Sequence, residues 1–114
     1  KGDMAAGVPA SDDHRAEFIK GLFQETLHDF LRQKDQELKG RLVIHLDADL
    51  FSSTLFALTT LAPHMKKGDL LIFDEFCVPN HEFNAFMIFT KSFYIKTRLV
   101  GAVNNYLQVA FEIE

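Results

Sequence analysis

Phe23, Leu27, Phe30 and Leu31 fall at i, i+4, i+7 and i+8, which is the spacing of one apolar helix face. The charged segment RQKDQELKG ends that face, and Gly40 is placed to terminate the helix. RLVIHL (41–46) then runs nearly without a polar break, the pattern of a strand buried on both faces of a parallel sheet. Ser52, Ser53 and Thr54 offer helix caps, and Leu55, Leu58, Ala62 and Met65 continue with helical spacing until Pro63 breaks or restarts the helix. Lys66, Lys67 and Gly68 read as a solvated helix end, and a second continuous apolar run spans Leu70 to Phe73.

Strand, helix and strand within about 33 residues make a βαβ unit with parallel neighbouring strands. After Pro79 and the candidate cap Asn80, the residues Phe83, Phe86, Phe89 and Phe93 mark another amphipathic helix, most simply a core-facing series. Arg98 to Val103, a tight turn at Asn104-Asn105, and the alternation of Leu107, Val109, Phe111 and Ile113 predict an antiparallel hairpin closing the sheet. A short apolar stretch at Glu17–Ile19 is a further candidate strand. The expected organisation is a loop or tail over 1–16 and a single α/β domain over 17–114.

Composition changes this picture little. In 114 residues, 12 Lys and Arg stand against 16 Asp and Glu for a net charge of −4, which argues against a nucleic-acid partner or an anionic membrane surface. No apolar run approaches the ~18–20 residues that span a bilayer, and the first residues do not read as a signal peptide. The single cysteine, Cys77, fits a reducing compartment, so a cytoplasmic location is expected.

The chemistry lies in the acids. Asp47-Ala48-Asp49 directly follows the first buried strand and Asp74-Glu75 directly follows the second. Parallel strands would bring both pairs to one carboxyl edge, where open α/β sheets bind ligands. Carboxylates gathered there repel and raise one another's pKa unless a cation compensates them, and hard oxygen ligands suit Mg²⁺, Ca²⁺ or Mn²⁺. A single acid after a strand is usually a cap or turn former; two pairs after adjacent parallel strands favour a shared site.

HLDADLFSST, a helix ending in KKGD, and LLIFDEF together resemble the second half of a class I S-adenosylmethionine-dependent methyltransferase, specifically the macrocin O-methyltransferase (TylF-like) family. KGLFQETLHDFL and the tail GAVNNYLQVAFEIE resemble the same family's segment before its fourth strand and its terminal hairpin, so the likeness runs from about Glu17 onward. The fold it implies is a partial Rossmann-like methyltransferase sheet, with parallel strands, crossover helices and a closing antiparallel hairpin. Asp47, Asp74 and Glu75 match positions that hold a divalent metal, usually Mg²⁺, and Asp49 matches a candidate general base. The implied reaction is methyl transfer from S-adenosylmethionine to a hydroxyl of a small molecule or sugar. Two residues depart from the family pattern: Glu75 stands where Asp is general, and Phe51 replaces the commoner Tyr.

The six glycines (2, 7, 21, 40, 68, 101) contain no G-x-G pair, so no cofactor-binding residue is assigned. The chain therefore reads as a carboxyl-terminal half, with the cofactor-binding half expected upstream of Lys1 and the fragment expected to be inactive alone. In that reading strand 41–46 is an exposed apolar edge, and a homo-oligomer formed through it is expected.

His45 shares strand parity with Asp47 and Asp49, and His81 follows Glu75 closely; each reads first as a structural or solvated histidine. Cys77 has no basic neighbour in sequence that would make it reactive. Two other functions compete. A haloacid dehalogenase-like phosphatase also uses Asp-x-Asp after a strand, but it wants Thr or Val where Phe51 stands. A non-catalytic, self-associating half-domain is the other.

Overall fold

The computed structural model describes residues 12–78 and 80–114. The first eleven residues of the expected tail, and Pro79, lie outside the described residues. In chain order the elements are α1 (Phe23–Gln33), β1 (Val43–Leu46), α2 (Phe51–Leu61), β2 (Leu70–Phe73), α3 (Glu82–Phe93), β3 (Thr97–Val103) and β4 (Gln108–Ile113). The strands form one mixed sheet in the order β1-β2-β4-β3. β1 and β2 are parallel, as expected of the βαβ unit, and β4 enters antiparallel between β2 and β3.

The register fixes two faces. Ile44 and Leu46, opposite Leu71 and Phe73, share a side with Val109, Phe111 and Ile113, and this side packs under α2 and α3. Ala57 and Leu58 of α2 and Ala85, Phe86 and Phe89 of α3 complete the core. Phe73, Phe76, Phe86 and Phe111 meet ring to ring, with Phe86 stacked on Phe111 at a centroid distance of 4.4 Å. The phenylalanine series of α3 is thus only half core: Phe86 and Phe89 are buried, whereas Phe83 and Phe93 stay exposed on the helix flanks.

The opposite sheet face differs from expectation. Val43 is 59% exposed and His45 is exposed, so β1 is covered on one side and not on both. β1 is also an edge strand, hydrogen-bonded to β2 alone. The open face does carry an ion pair, Arg98 to Glu112 at 2.8 Å, across the β3–β4 hairpin.

Asp69 organises the joint between the two parallel strands. It is fully buried; its Oδ1 accepts from the Leu42 N–H at 2.9 Å, and its Oδ2 accepts from the Lys66 N–H at 2.8 Å and Lys66 Nζ at 3.2 Å. Lys66 is therefore held inward by Asp69 and by the Leu38 and His64 carbonyls, while Lys67 alone is the solvated cation expected there.

Other local expectations are corrected by the chain's hydrogen bonds. Glu17–Ile19 forms no strand, because no sheet neighbour receives its backbone groups. α1 ends at Gln33, and Gly40 closes a separate 3-10 turn, Glu37–Lys39. α2 begins at Phe51 without a side-chain cap, so Ser52, Ser53 and Thr54 lie inside its first turn. Pro63 ends α2 as expected, within the 3-10 turn Ala62–His64. Asn80 does not cap α3, whose N-cap is His81. The hairpin turn holds three consecutive left-handed residues, Asn104, Asn105 and Tyr106, one more than the two-residue turn expected. No helix among the described residues is long and apolar enough to cross a membrane.

Candidate active site

Leu46 and Phe73 are direct register partners, so the residues that follow them, Asp47 and Asp74, leave the parallel pair side by side. The Asp74 N–H donates to the Leu46 carbonyl at 3.2 Å, extending the pairing one step into the loops. On the other side Phe73 is opposite Val109, which brings Gln108 beside Asp74, and Gln108 Nε2 lies 3.4 Å from Asp74 Oδ1. Asn104 Nδ2 in turn donates to Gln108 Oε1 at 2.5 Å. Asp47, Asp74 and Gln108 thus form a row across three strand ends. The carboxylates were legible in sequence. Gln108 was not, because only the antiparallel insertion of β4 beside β2 puts it there.

The electrostatics of this row are those of like charges brought together. The Asp47 carboxyl is held above its ordinary range first by loss of solvent around it, then by the charges of Asp74 and Asp49 and by a hydrogen bond with Asp74. His45 pulls in the opposite direction. Two carboxyls can be hydrogen-bonded to one another only if a proton lies between them. Among the described residues no ion pair reaches Asp47, Asp49, Asp74, Glu75 or Glu82.

Asp49 reaches this neighbourhood by a different route from the one expected. β1 ends at Leu46, so strand parity does not carry through to Asp49. A left-handed turn (φ 59°) at Asp49 itself redirects the chain into α2. Asp tolerates that conformation better than most residues because its short side chain bonds locally.

Glu75 and the residues after it form the corner between β2 and α3. The Glu75 N–H donates to Glu82 Oε1 at 3.1 Å, and the Phe76 N–H donates to the Leu107 carbonyl at 2.8 Å. Glu82 is fully buried, and its Oε2 has no hydrogen-bond partner. Burial pushes its carboxyl up; the hydrogen bond from the Glu75 N–H opposes this, while the charges of Asp47 and Glu75 add to it. Glu82 carried no signal in sequence, since a glutamate in the first turn of a helix is an ordinary surface choice. His81 is partly buried with an unpartnered Nδ1, and Cys77 is exposed. Phe51 packs its ring against the core cluster at the start of α2.

The donor set was tested against the divalent cation that the resemblance implies. Asp47 and Asp74 are two adjacent hard-oxygen donors that no ion pair among the described residues engages, and Mg²⁺ can be held by one or two carboxylates when waters complete its shell. Among the described residues no three His, Cys, Asp or Glu side chains converge into a set that could hold a metal ion. The expected three-ligand group Asp47, Asp74 and Glu75 is therefore not assembled, and the fit is that of a two-carboxylate site.

No curated protein matches the chain. The family described as Macrocin-O-methyltransferase (TylF) matches residues 10–106, a span that takes in α1, both parallel strands, the acidic row up to Asp74 and the corner beyond it. With that match extending over most of the chain and over each strand end that carries an acid, the protein belongs to the macrocin-O-methyltransferase (TylF) family.

Proposed function

We propose that the acidic edge formed by Asp47, Asp49 and Asp74 is the acceptor-activating half of a metal-dependent O-methyltransferase site. The observation that carries this reading is the Asp47–Asp74 carboxyl pair, aligned by strand register and joined by no ion pair among the described residues. Asp47 and Asp74 would hold a divalent cation, with water completing its shell. When bound, S-adenosylmethionine supplies an electrophilic methyl group, and the cation supplies positive charge that makes a nearby hydroxyl more acidic. Asp49 accepts the proton of the acceptor hydroxyl as its oxygen takes the methyl group. The row of Gln108 and Asn104 beside Asp74 offers amide groups to orient a polyhydroxylated acceptor, a small molecule or a sugar.

The chain contains no G-x-G segment to cradle a nucleotide, so the methyl donor is expected to need elements beyond those present in these residues. The open edge of β1 is the surface on which a further strand would pair, whether from a second copy or from such elements. The family match favours methyl transfer over phosphoryl transfer, and the Phe51 ring stands where a phosphatase of the Asp-x-Asp type would place a hydroxyl or small side chain.

A ligand that binds only the native state raises its stability, by about 1.4 kcal/mol at tenfold excess over Kd. Thermal unfolding of the wild-type chain is therefore expected to shift upward in millimolar Mg²⁺ or Mn²⁺, and that of an Asp47→Asn/Asp74→Asn double variant is not. Equal shifts in both would show that the cation binds elsewhere.

A further inference from the structure

We infer that Glu82, the first residue of α3, is a positioning residue that holds the Asp74–Glu75 corner of the acidic edge through the Glu75 backbone N–H. The inference rests on the reading of that edge as a cation site. In this corner the Asp74 N–H is taken by the Leu46 carbonyl and the Phe76 N–H by the Leu107 carbonyl. The N–H between them, on Glu75, would have no backbone partner, and Glu82 Oε1 supplies it from seven residues away at 3.1 Å. The corner that carries the candidate ligand Asp74 is thus pinned on both sides by backbone and in the middle by one side chain.

What makes this more than a loop contact is that the acceptor is a fully buried side chain. Glu82 is fully buried, forms no ion pair among those of the described residues, and leaves Oε2 without a partner. A buried carboxylate in that condition costs stability, and a glutamine could satisfy the same N–H at lower cost. Groups that orient first-layer ligands behave in this way, and their loss typically weakens metal affinity by about 10–100-fold. Glu82 touches the ligand-bearing backbone and not the ligand oxygens, so its role is to set where Asp74 and Glu75 stand.

The test compares the wild-type chain with Glu82→Gln and Glu82→Ala in two measurements. In amide hydrogen exchange, the Glu75 N–H is expected to be protected in the wild type and in Glu82→Gln, and to lose protection at least tenfold in Glu82→Ala. In Mn²⁺ titration, Glu82→Ala is expected to bind about 10–100-fold more weakly than wild type, while Glu82→Gln, which keeps the acceptor, stays within about threefold of it. An unprotected Glu75 amide in the wild-type chain would overturn the inference, and so would Mn²⁺ binding by Glu82→Ala that equals the wild type's. If Glu82→Ala does not fold, the wild-type and Glu82→Gln exchange rates decide alone. Absence of Mn²⁺ binding by a wild-type chain whose Glu75 amide is protected would sink the cation site and leave the positioning contact standing.

Discussion

Individual residues here do work that their types do not announce. Asp69 follows the lysine pair and looks like a turn former, yet it is fully buried and accepts from Leu42, from the Lys66 backbone and from the Lys66 ammonium. Removing it leaves two N–H groups and part of a cation without a partner. Asp69→Ala is therefore expected to lower unfolding stability by about 2–4 kcal/mol, with Lys66 partly exposed and so contributing at the low end. Urea midpoints of the variant and wild type check this, and a midpoint change within error would show the cluster to be energetically idle. Titration offers a second check. Asp47 and Glu82 both carry pKa values raised in the fold, so each binds its proton more readily folded than unfolded. The sign that follows is a stability that is highest below their ordinary range and declines as pH rises through the raised values. Glu82→Gln removes one of the two titrating groups and is expected to flatten that decline, as read from melting temperatures between about pH 4 and pH 7.

At the scale of elements, what could be read from sequence was whatever depends on neighbours along the chain. The helices α1 and α3, the two apolar parallel strands and the Pro63 stop follow from local spacing and are present, although Phe83 and Phe93 leave the core face of α3 and β1 is covered on one side alone. Element ends were read less well, because they depend on backbone groups that side-chain chemistry does not reveal. α2 starts at Phe51 because the left-handed Asp49 turns the chain there, and its serines and threonine, which look like caps, fall inside the helix. The candidate site divides along the same line. Asp47 and Asp74 were legible because each ends an apolar run, whereas Gln108 and Glu82 reach the edge only through antiparallel pairing and the start of α3. The β1–α2 turn yields a prediction of its own. Asn favours left-handed backbone at least as much as Asp and removes one charge near Asp47. Asp49→Asn is expected to match or exceed wild-type stability by up to about 1 kcal/mol, while abolishing the proton acceptor. Marked destabilisation in denaturant would mean that the Asp49 carboxylate has a structural partner.

For the whole molecule, the sheet order β1-β2-β4-β3 leaves, among the described residues, the outer edges of β1 and β3 and one sheet face uncovered. A doubly wound sheet covers both faces, whereas here one face stays open among the described residues. Val43, 59% exposed on that face and on the edge strand, is the natural probe. Val43→Lys is expected to reduce any concentration-dependent association seen by light scattering, because an edge lysine opposes strand addition. Association that persists unchanged would place the contact elsewhere. With no glycine-rich G-x-G segment, calorimetric titration with S-adenosylmethionine in millimolar Mg²⁺ is expected to give no binding heat from this chain alone.

Asp47 and Asp74, brought together by strand register, are the proposed cation site. Paramagnetic broadening of backbone amide resonances by substoichiometric Mn²⁺ reads that site residue by residue. Broadening is expected to begin at residues 47–49 and 74–75 and to spread no further until those positions are saturated. Broadening that instead begins at the exposed acids of α1 or the amino-terminal segment, with residues 47 and 74 unaffected, would contradict it.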